Sequence, residues 1–304
     1  MNQPLAGSPL LSLRNVNLTY RALPALRDIN WTLQRGEQWV CLGPNGSGKT
    51  SLADVISGRA AHVAGDIARA PELATRGIAY VCFEQAKALC ERDRKLDDSE
   101  FRADASDPGT RVRDLILQGR APDADFDSWT EQLGMAHILD RGIRYISTGE
   151  MRKTLLASAI LNRPGLLILD NPLDGLDRDS QAAMQGILDE LLGGELPVLM
   201  LCRQLEDIPS AATHLLVLEG GALVTSGERE AVLADPHVSR LMNPPLPELG
   251  ALPTPAQRPY ELPSTGPVLA LREVSVRYGD LQVLDKVNWV FDRGQHCCVS
   301  GPNG

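Results

Sequence analysis

Short apolar runs and amphipathic stretches take turns along most of this chain. Gln38 to Leu42 reads as a buried strand that enters a glycine-rich turn, and the helix after it sets Leu52, Val55 and Ile56 on one face. Leu166 to Leu169 and Val198 to Cys202 carry no polar interruption, as central parallel strands require because both faces are covered. Leu215 to Leu218 predicts another strand. Residues 111–119 and 128–140 follow the helical period and predict an inserted, mostly helical segment. Strands alternating with helices in this order predict an α/β architecture.

The pattern also repeats. Residues 10–46 and 268–304 align without a gap at an offset of 258, with 15 identities in 37 positions. Leu13/Leu271, Tyr20/Tyr278, Asn30-Trp31/Asn288-Trp289 and Arg35-Gly36/Arg293-Gly294 are among them, as is Gly43-Pro44-Asn45-Gly46, which returns as Gly301 to Gly304. Hydrophobic period alone would not match glycines and an Asn-Trp pair, so a duplicated domain is expected. Residues 243–267 hold eight prolines and a single basic residue, Arg258. Proline fixes φ and removes a donor, which predicts an extended interdomain connector. The expected organisation is a first domain over 8–242, a linker over 243–267 and the N-terminal fragment of a second domain over 268–304. The second copy stops inside its own glycine-rich loop, so the expectation is a fragment or a truncated gene.

Composition narrows the partners. Hydrophobic residues make up 43% and charged residues 23%, enough for a packed core. The net charge of −9 argues against bare nucleic acid or an anionic membrane as main partner, and no direct nucleic-acid contact is expected. No apolar run approaches the roughly 20 residues of a membrane-spanning helix. The six cysteines form no CxxC pair and read as small buried hydrophobes in a reducing cytoplasm. The five histidines (62, 137, 214, 237, 296) show no metal-ligand spacing and read as surface or packing residues.

The chemistry sits in the turn after Leu42. Gly43-Pro44-Asn45-Gly46-Ser47-Gly48-Lys49-Thr50 fits G-x-x-x-x-G-K-[ST] between a strand and a helix, the phosphate-binding loop of a P-loop NTPase. Its glycines let backbone N–H groups curl round a phosphate, and the helix N-terminus adds partial positive charge. Lys49 would reach the β- and γ-phosphates of ATP and Thr50 would ligate Mg²⁺, with Ser51 beside it in the nucleotide site. Asp170 closes the run Leu166 to Leu169 and is either a capping acid or the second Mg²⁺ anchor; the upstream loop favours the anchor. Tyr20, 23 residues before Gly43, is a candidate platform for the adenine ring or simply an edge-strand aromatic. Ser147-Thr148-Gly149-Glu150 is locally a capping box, S-x-x-E.

Taken together, the phosphate loop, Ser147-Thr148-Gly149-Glu150, Leu169-Asp170-Asn171-Pro172 and Asp174-Gly175-Leu176-Asp177, in this order and spacing, resemble an ATP-binding cassette (ABC) ATPase. More narrowly, Tyr145 to Leu156 and Leu205 to Pro209 are similar to double-cassette proteins named as molybdate-transport ATP-binding or photorepair proteins. The resemblance implies an ABC-type nucleotide-binding domain with an inserted helical subdomain. It implies that Ser147, Thr148, Gly149 and Glu150 form the signature that covers nucleotide on an opposing cassette, supplied by the same chain or by a homodimer. It makes Gln85 the Q-loop glutamine, a Mg²⁺ contact, and puts Asp177 at the dimer interface.

Two positions depart from that pattern. Asn171 stands where the family's catalytic glutamate follows the aspartate, and an amide orients water but accepts no proton. Arg203 stands where a switch histidine is expected; it can hold a γ-phosphate but not shuttle a proton. The expectation is a first site, on Lys49, Gln85, Asp170, Asn171 and Arg203, that binds ATP and turns it over poorly. The implied role is the cytoplasmic ATPase subunit of a transporter, peripheral on the inner membrane face through separate transmembrane subunits, with an oxyanion such as molybdate as cargo. The alternatives are a soluble ABC ATPase of translation, stress or repair, and an ATP-dependent dimerisation switch.

Overall fold

The computed structural model describes residues 9–21, 23–95, 109–243, 266–278 and 281–299, with Phe83, Glu84, Tyr278 and Leu281 described by backbone alone. All but the ends of the proline-rich 243–267, and the loop Gly301 to Gly304, lie outside the described residues. Two compact units emerge, one within Met1–Pro245 and one within Leu246–Gly301.

The first unit begins with β1 (Pro9–Tyr20) and β2 (Leu23–Gln34), then β3 (Trp39–Leu42), α1 (Lys49–Ser57), β4 (Val63–Arg69), α2 (Pro71–Arg76) and β5 (Ile78–Val81). The helical insertion follows: α3 (Phe83–Lys95), α4 (Val112–Leu117), α5 (Ala124–Gln132) and α6 (Thr148–Leu161). The chain closes with β6 (Leu166–Asp170), α7 (Arg178–Leu192), β7 (Val198–Cys202), β8 (His214–Glu219), β9 (Ala222–Glu228), α8 (Arg229–Leu233) and α9 (Pro236–Met242). Two sheets result: an antiparallel one in the order β2-β1-β4, and a six-stranded one in the order β5-β6-β7-β3-β8-β9. In the larger sheet β5, β6, β7, β3 and β8 run parallel, and β9 is antiparallel to β8.

Strand parity decides what each face covers. Cys41, Leu166, Ile168, Leu199 and Leu201 point toward the antiparallel sheet and α1, while Val40, Leu42, Leu167, Leu169, Val198 and Met200 pack on α6 and α7. That two-sided burial explains the uninterrupted apolar runs. A third cluster joins Val112, Ile116, Phe126 and Leu133 of the insertion to Met151 and Leu155 of α6. One buried polar residue ties three strand starts together. The Gln38 side chain accepts from Val198 N at 2.9 Å and donates to Leu196 O at 3.0 Å, and its carbonyl accepts from His214 N at 3.0 Å.

Three expectations shift. The helix expected over 128–140 starts at Ala124, because Asp123 caps it by accepting from Phe126 N at 2.9 Å, and stops at Gln132, ahead of Gly134 at φ +64°. Tyr20 is not on an edge strand, since β1 is the middle strand of its sheet. Cysteine burial holds for Cys41 and Cys202, whereas Cys82 and Cys90 are half-buried and Cys297 and Cys298 exposed; all six are free thiols.

The second unit is a hairpin of β10 (Leu269–Tyr278) and β11 (Leu281–Phe291). Its register reproduces that of β1 and β2 at the offset of 258: Leu271↔Trp289 answers Leu13↔Trp31, and Val276↔Leu284 answers Leu18↔Leu26. The bulge repeats as well. Glu273 at φ +50° donates its N–H to Asn288 Oδ1 at 2.9 Å, as Asn15 at φ +50° does to Asn30. Identity in sequence is thus matched by identity in local irregularity.

Candidate nucleotide site

β3 ends in the loop Gly43 to Gly48, and α1 starts at Lys49. Gly48 turns the chain into the helix at φ +103°, and a Cβ there would lie 3.0 Å from Ala25 O. Lys49 is buried beneath the loop, its Nζ donating to Gly43 O at 2.6 Å and to Pro44 O at 3.1 Å. Burial lowers the pKa of its ammonium, against the opposing pull of the Cys41 and Asp170 side chains. A cavity of about 420 Å³ opens over Asn45 to Ser51 and is bounded by Arg27, Asn171 and Arg203. The Ser47 hydroxyl is buried with no hydrogen-bond partner, a donor held in reserve inside the cradle.

Thr50 and Asp170 meet although 120 residues apart, Thr50 Oγ1 donating to Asp170 Oδ2 at 3.0 Å. The same oxygen accepts from the Tyr80 hydroxyl at 2.6 Å, and Asp170 Oδ1 accepts from Asn171 Nδ2 at 2.6 Å. Asn171 adopts φ +47°, a left-handed position that asparagine tolerates better than most residues. Arg203 is ion-paired to Asp174, and Arg152 donates to the carbonyls of Pro172 and Asp174. Arg152, Asp174 and Arg203 line a second cavity of about 490 Å³ together with Thr50, Tyr80, Asp170 and Asn171.

The remaining predicted residues lie apart from this centre. Ser147 caps α6, accepting from Glu150 N at 3.2 Å while its own N–H donates to Glu150 Oε2 at 2.7 Å. Thr148 and Gly149 open the same helix, with Gly149 facing Ser180 of α7, and none of the four lines either cavity. Asp177 caps α7 by accepting from Ser180 N at 3.1 Å. Gln85 Nε2 donates to Tyr80 O at 3.2 Å, and its side chain lines a separate cavity of about 560 Å³ with Leu89, Gln118 and Asn162. The structure does not bring Gln85 to Thr50 and Asp170. Tyr20 donates its hydroxyl to Asp54 Oδ2 at 3.2 Å; the residue is 44% exposed and outside the lining of the loop cavity.

Thr50 and Asp170 offer only oxygen donors, the hard set that suits Mg²⁺, and two protein ligands leave most of its octahedron to water and phosphate. Among the described residues no cluster of three or more His, Cys, Asp or Glu side chains could hold a metal ion. No helix among them is long and apolar enough to cross a membrane.

The ABC transporter family profile matches residues 26–174, the stretch from β2 through the phosphate loop to Asp174. The zinc import ATP-binding protein ZnuC of Halorhodospira halophila is 32% identical over 260 residues, covering 83% of this chain and 92% of that protein. The chain belongs to the ABC transporter ATP-binding family. The ABC transporter ATP-binding protein ModF of Escherichia coli strain K12 is 31% identical over 276 residues, 90% of this chain, which spans 56% of ModF. In fold, this ABC domain is similar to a nucleotide-free ATP-binding cassette from an ABC transporter (TM-score 0.61, 20% identity, 77% of this chain and 98% of that one). It is also similar to an inward-facing putative metal-chelate type ABC transporter (TM-score 0.59, 22% identity, 77% and 88%).

Motif reading does not flag Tyr80, Arg59 or Arg152. Tyr80 hides in a strand run, and the usable signal is parity. β5 pairs with β6 in the register Tyr80↔Ile168, which gives Tyr80 the face of Asp170.

Proposed function

We propose that this chain is the ATP-binding, ATP-hydrolysing subunit of an ABC transport system, working with a second cassette and with separate membrane subunits. The observation that carries the reading is the junction of Thr50 with Asp170 beside Lys49, which forms one phosphate-facing centre. In this reading the backbone N–H groups of Gly46 to Thr50 grip the phosphates, and Lys49 gives up its carbonyl contacts to reach them. Thr50 and Asp170 hold Mg²⁺, whose chemistry when bound is neutralisation of phosphate charge. Asn171 orients a water without taking its proton, so turnover at this site is slow. Arg203, which lines the cavity, is a cationic contact for the terminal phosphate.

Ser147, Thr148 and Gly149 act on nucleotide held by the opposing cassette, which agrees with their absence from the lining of either cavity on their own chain. Residues 268–304 are read as the start of that second cassette, supported by the repeated hairpin register. The cargo is an ion handled by the membrane subunits. An oxyanion such as molybdate follows from the motif resemblance, and zinc from the name of ZnuC. The location is the cytoplasmic face of the membrane.

A second reading, an ATP-dependent dimerisation switch without turnover, is favoured by Asn171, whose amide is spent on Asp170. Equilibrium ATP binding and steady-state phosphate release by wild type and Lys49→Ala test both. Binding lost with Lys49 supports either reading, slow release supports the ATPase, and binding without any release supports the switch. Wild type without affinity for ATP overturns both.

A further inference from the structure

A line of polar contacts runs outside the phosphate loop from the end of β1 to Asp170. The Tyr20 hydroxyl donates to Asp54 Oδ2 at 3.2 Å, and the other oxygen of Asp54 accepts from Arg59 Nε at 3.0 Å. The Arg59 guanidinium carbon lies 3.4 Å from the centroid of the Tyr80 ring, a cation held over an aromatic face. The Tyr80 hydroxyl then donates to Asp170 Oδ2 at 2.6 Å, the oxygen that Thr50 also reaches. Gln85, which the family resemblance puts on the metal, instead donates to the Tyr80 carbonyl and lines the other cavity. The side of Asp170 that faces the edge strand is therefore occupied by Tyr80.

We propose that Tyr80 is a positioning residue for Mg²⁺, holding the Asp170 carboxylate turned toward Thr50 while Arg59 pins the Tyr80 ring; the inference rests on the nucleotide reading above. The physical reason is the softness of a carboxylate. Its terminal torsion has a broad well, so a single contact to Thr50 leaves the plane free to turn. Tyr80 on Oδ2 and Asn171 on Oδ1 bracket the group and remove that freedom. Donors behind a metal ligand orient it in this manner, and losing one costs about 10–100-fold in metal affinity. Lys49 hydrogen-bonds to Gly43 O and Pro44 O rather than to Tyr80, and it and the loop amides act on the phosphates without the metal.

The two contributions separate in one experiment. Equilibrium ATP binding is followed across Mg²⁺ concentrations and again in EDTA, for wild type, Tyr80→Phe, Arg59→Ala and Arg59→Lys. Phenylalanine keeps the ring and its cation contact and removes only the hydroxyl. The expected result for Tyr80→Phe is a Mg²⁺ midpoint raised about tenfold, with binding in EDTA at the wild-type level. Arg59→Ala should shift the midpoint the same way by less, and Arg59→Lys should restore most of it. A wild-type Mg²⁺ midpoint in Tyr80→Phe overturns the proposal, as does a variant that loses binding equally with and without the metal, which marks a purely structural role. Wild type that binds no ATP in either condition overturns the nucleotide reading itself.

Discussion

Arg203 is ion-paired with Asp174 across the turn that follows β6; both line the cavity that contains Thr50 and Asp170, and Arg203 also bounds the one over the phosphate loop. The two side chains are 40% and 37% exposed, so the pair is a surface one, worth at most about 1 kcal/mol. A cation so lightly held is free to change partners when an anion enters. Asp174→Asn should therefore release Arg203 and tighten ATP binding by up to about fivefold, the equivalent of 1 kcal/mol. Equilibrium binding at low and high salt checks this, because the gain should shrink as salt screens the charge. Unchanged affinity at low salt would mean that Arg203 does not answer to nucleotide.

Lys49 donates two hydrogen bonds to loop carbonyls, at 2.6 Å and 3.1 Å, and is buried with its charge. A phosphate offers it a better partner. Charge-assisted bonds of this kind contribute about 1.5–3 kcal/mol, so Lys49→Ala should weaken ATP binding about 10–100-fold. Isothermal titration calorimetry reads the change, and circular dichroism shows that the fold is kept.

Asn171 has the position next to the Asp170 carboxylate but not a group that accepts a proton. Replacing it by glutamate should raise steady-state phosphate release by about 10²–10⁴-fold. The gain belongs at the low end, since Asn171 sits at φ +47° and a longer side chain pays about 1–2 kcal/mol for that backbone. If wild type already turns over as fast as Asn171→Glu, the slow-site reading is wrong.

Glu150 gives the start of α6 a pH signature. Burial pushes its carboxyl upward, but the N–H and hydroxyl of Ser147 and the neighbouring His137 hold the anion, and the net shift is downward. A carboxylate whose folded pKa is depressed adds stability that is present above its unfolded value, about 4.3, and lost as pH falls through the folded value. Glu150→Gln should therefore lower the thermal midpoint near pH 7 and converge with wild type at acid pH. Ser147→Ala should cost about 1 kcal/mol at neutral pH. A difference between Glu150→Gln and wild type that persists at acid pH would exclude the ionised cap as its source.

Much of the α/β plan was legible before any coordinates because its signals are local. The strands at Val198 to Cys202 and Leu166 to Asp170 appear where apolar runs predict them, and the boundaries that moved were governed by single capping residues such as Asp123. The phosphate loop was readable for the same reason, since eight consecutive residues carry its chemistry. Gln85 illustrates the limit. The family resemblance implies a metal contact for it, yet its amide donates to Tyr80 O.

The sequence by itself determined the strand and helix periods, the phosphate loop, the order of the family motifs and the repeat at an offset of 258. Tertiary structure alone brought Tyr80 to Asp170 and fixed how Thr50 meets it. Tyr80 reaches it over 90 positions because β5 and β6 pair in parallel in one register, and Thr50 reaches it over 120 because α1 leaves β3, two strands away. Strand order and register set which side chains face each other. Both arise from burying two sheet faces at once, which no local stretch of residues encodes.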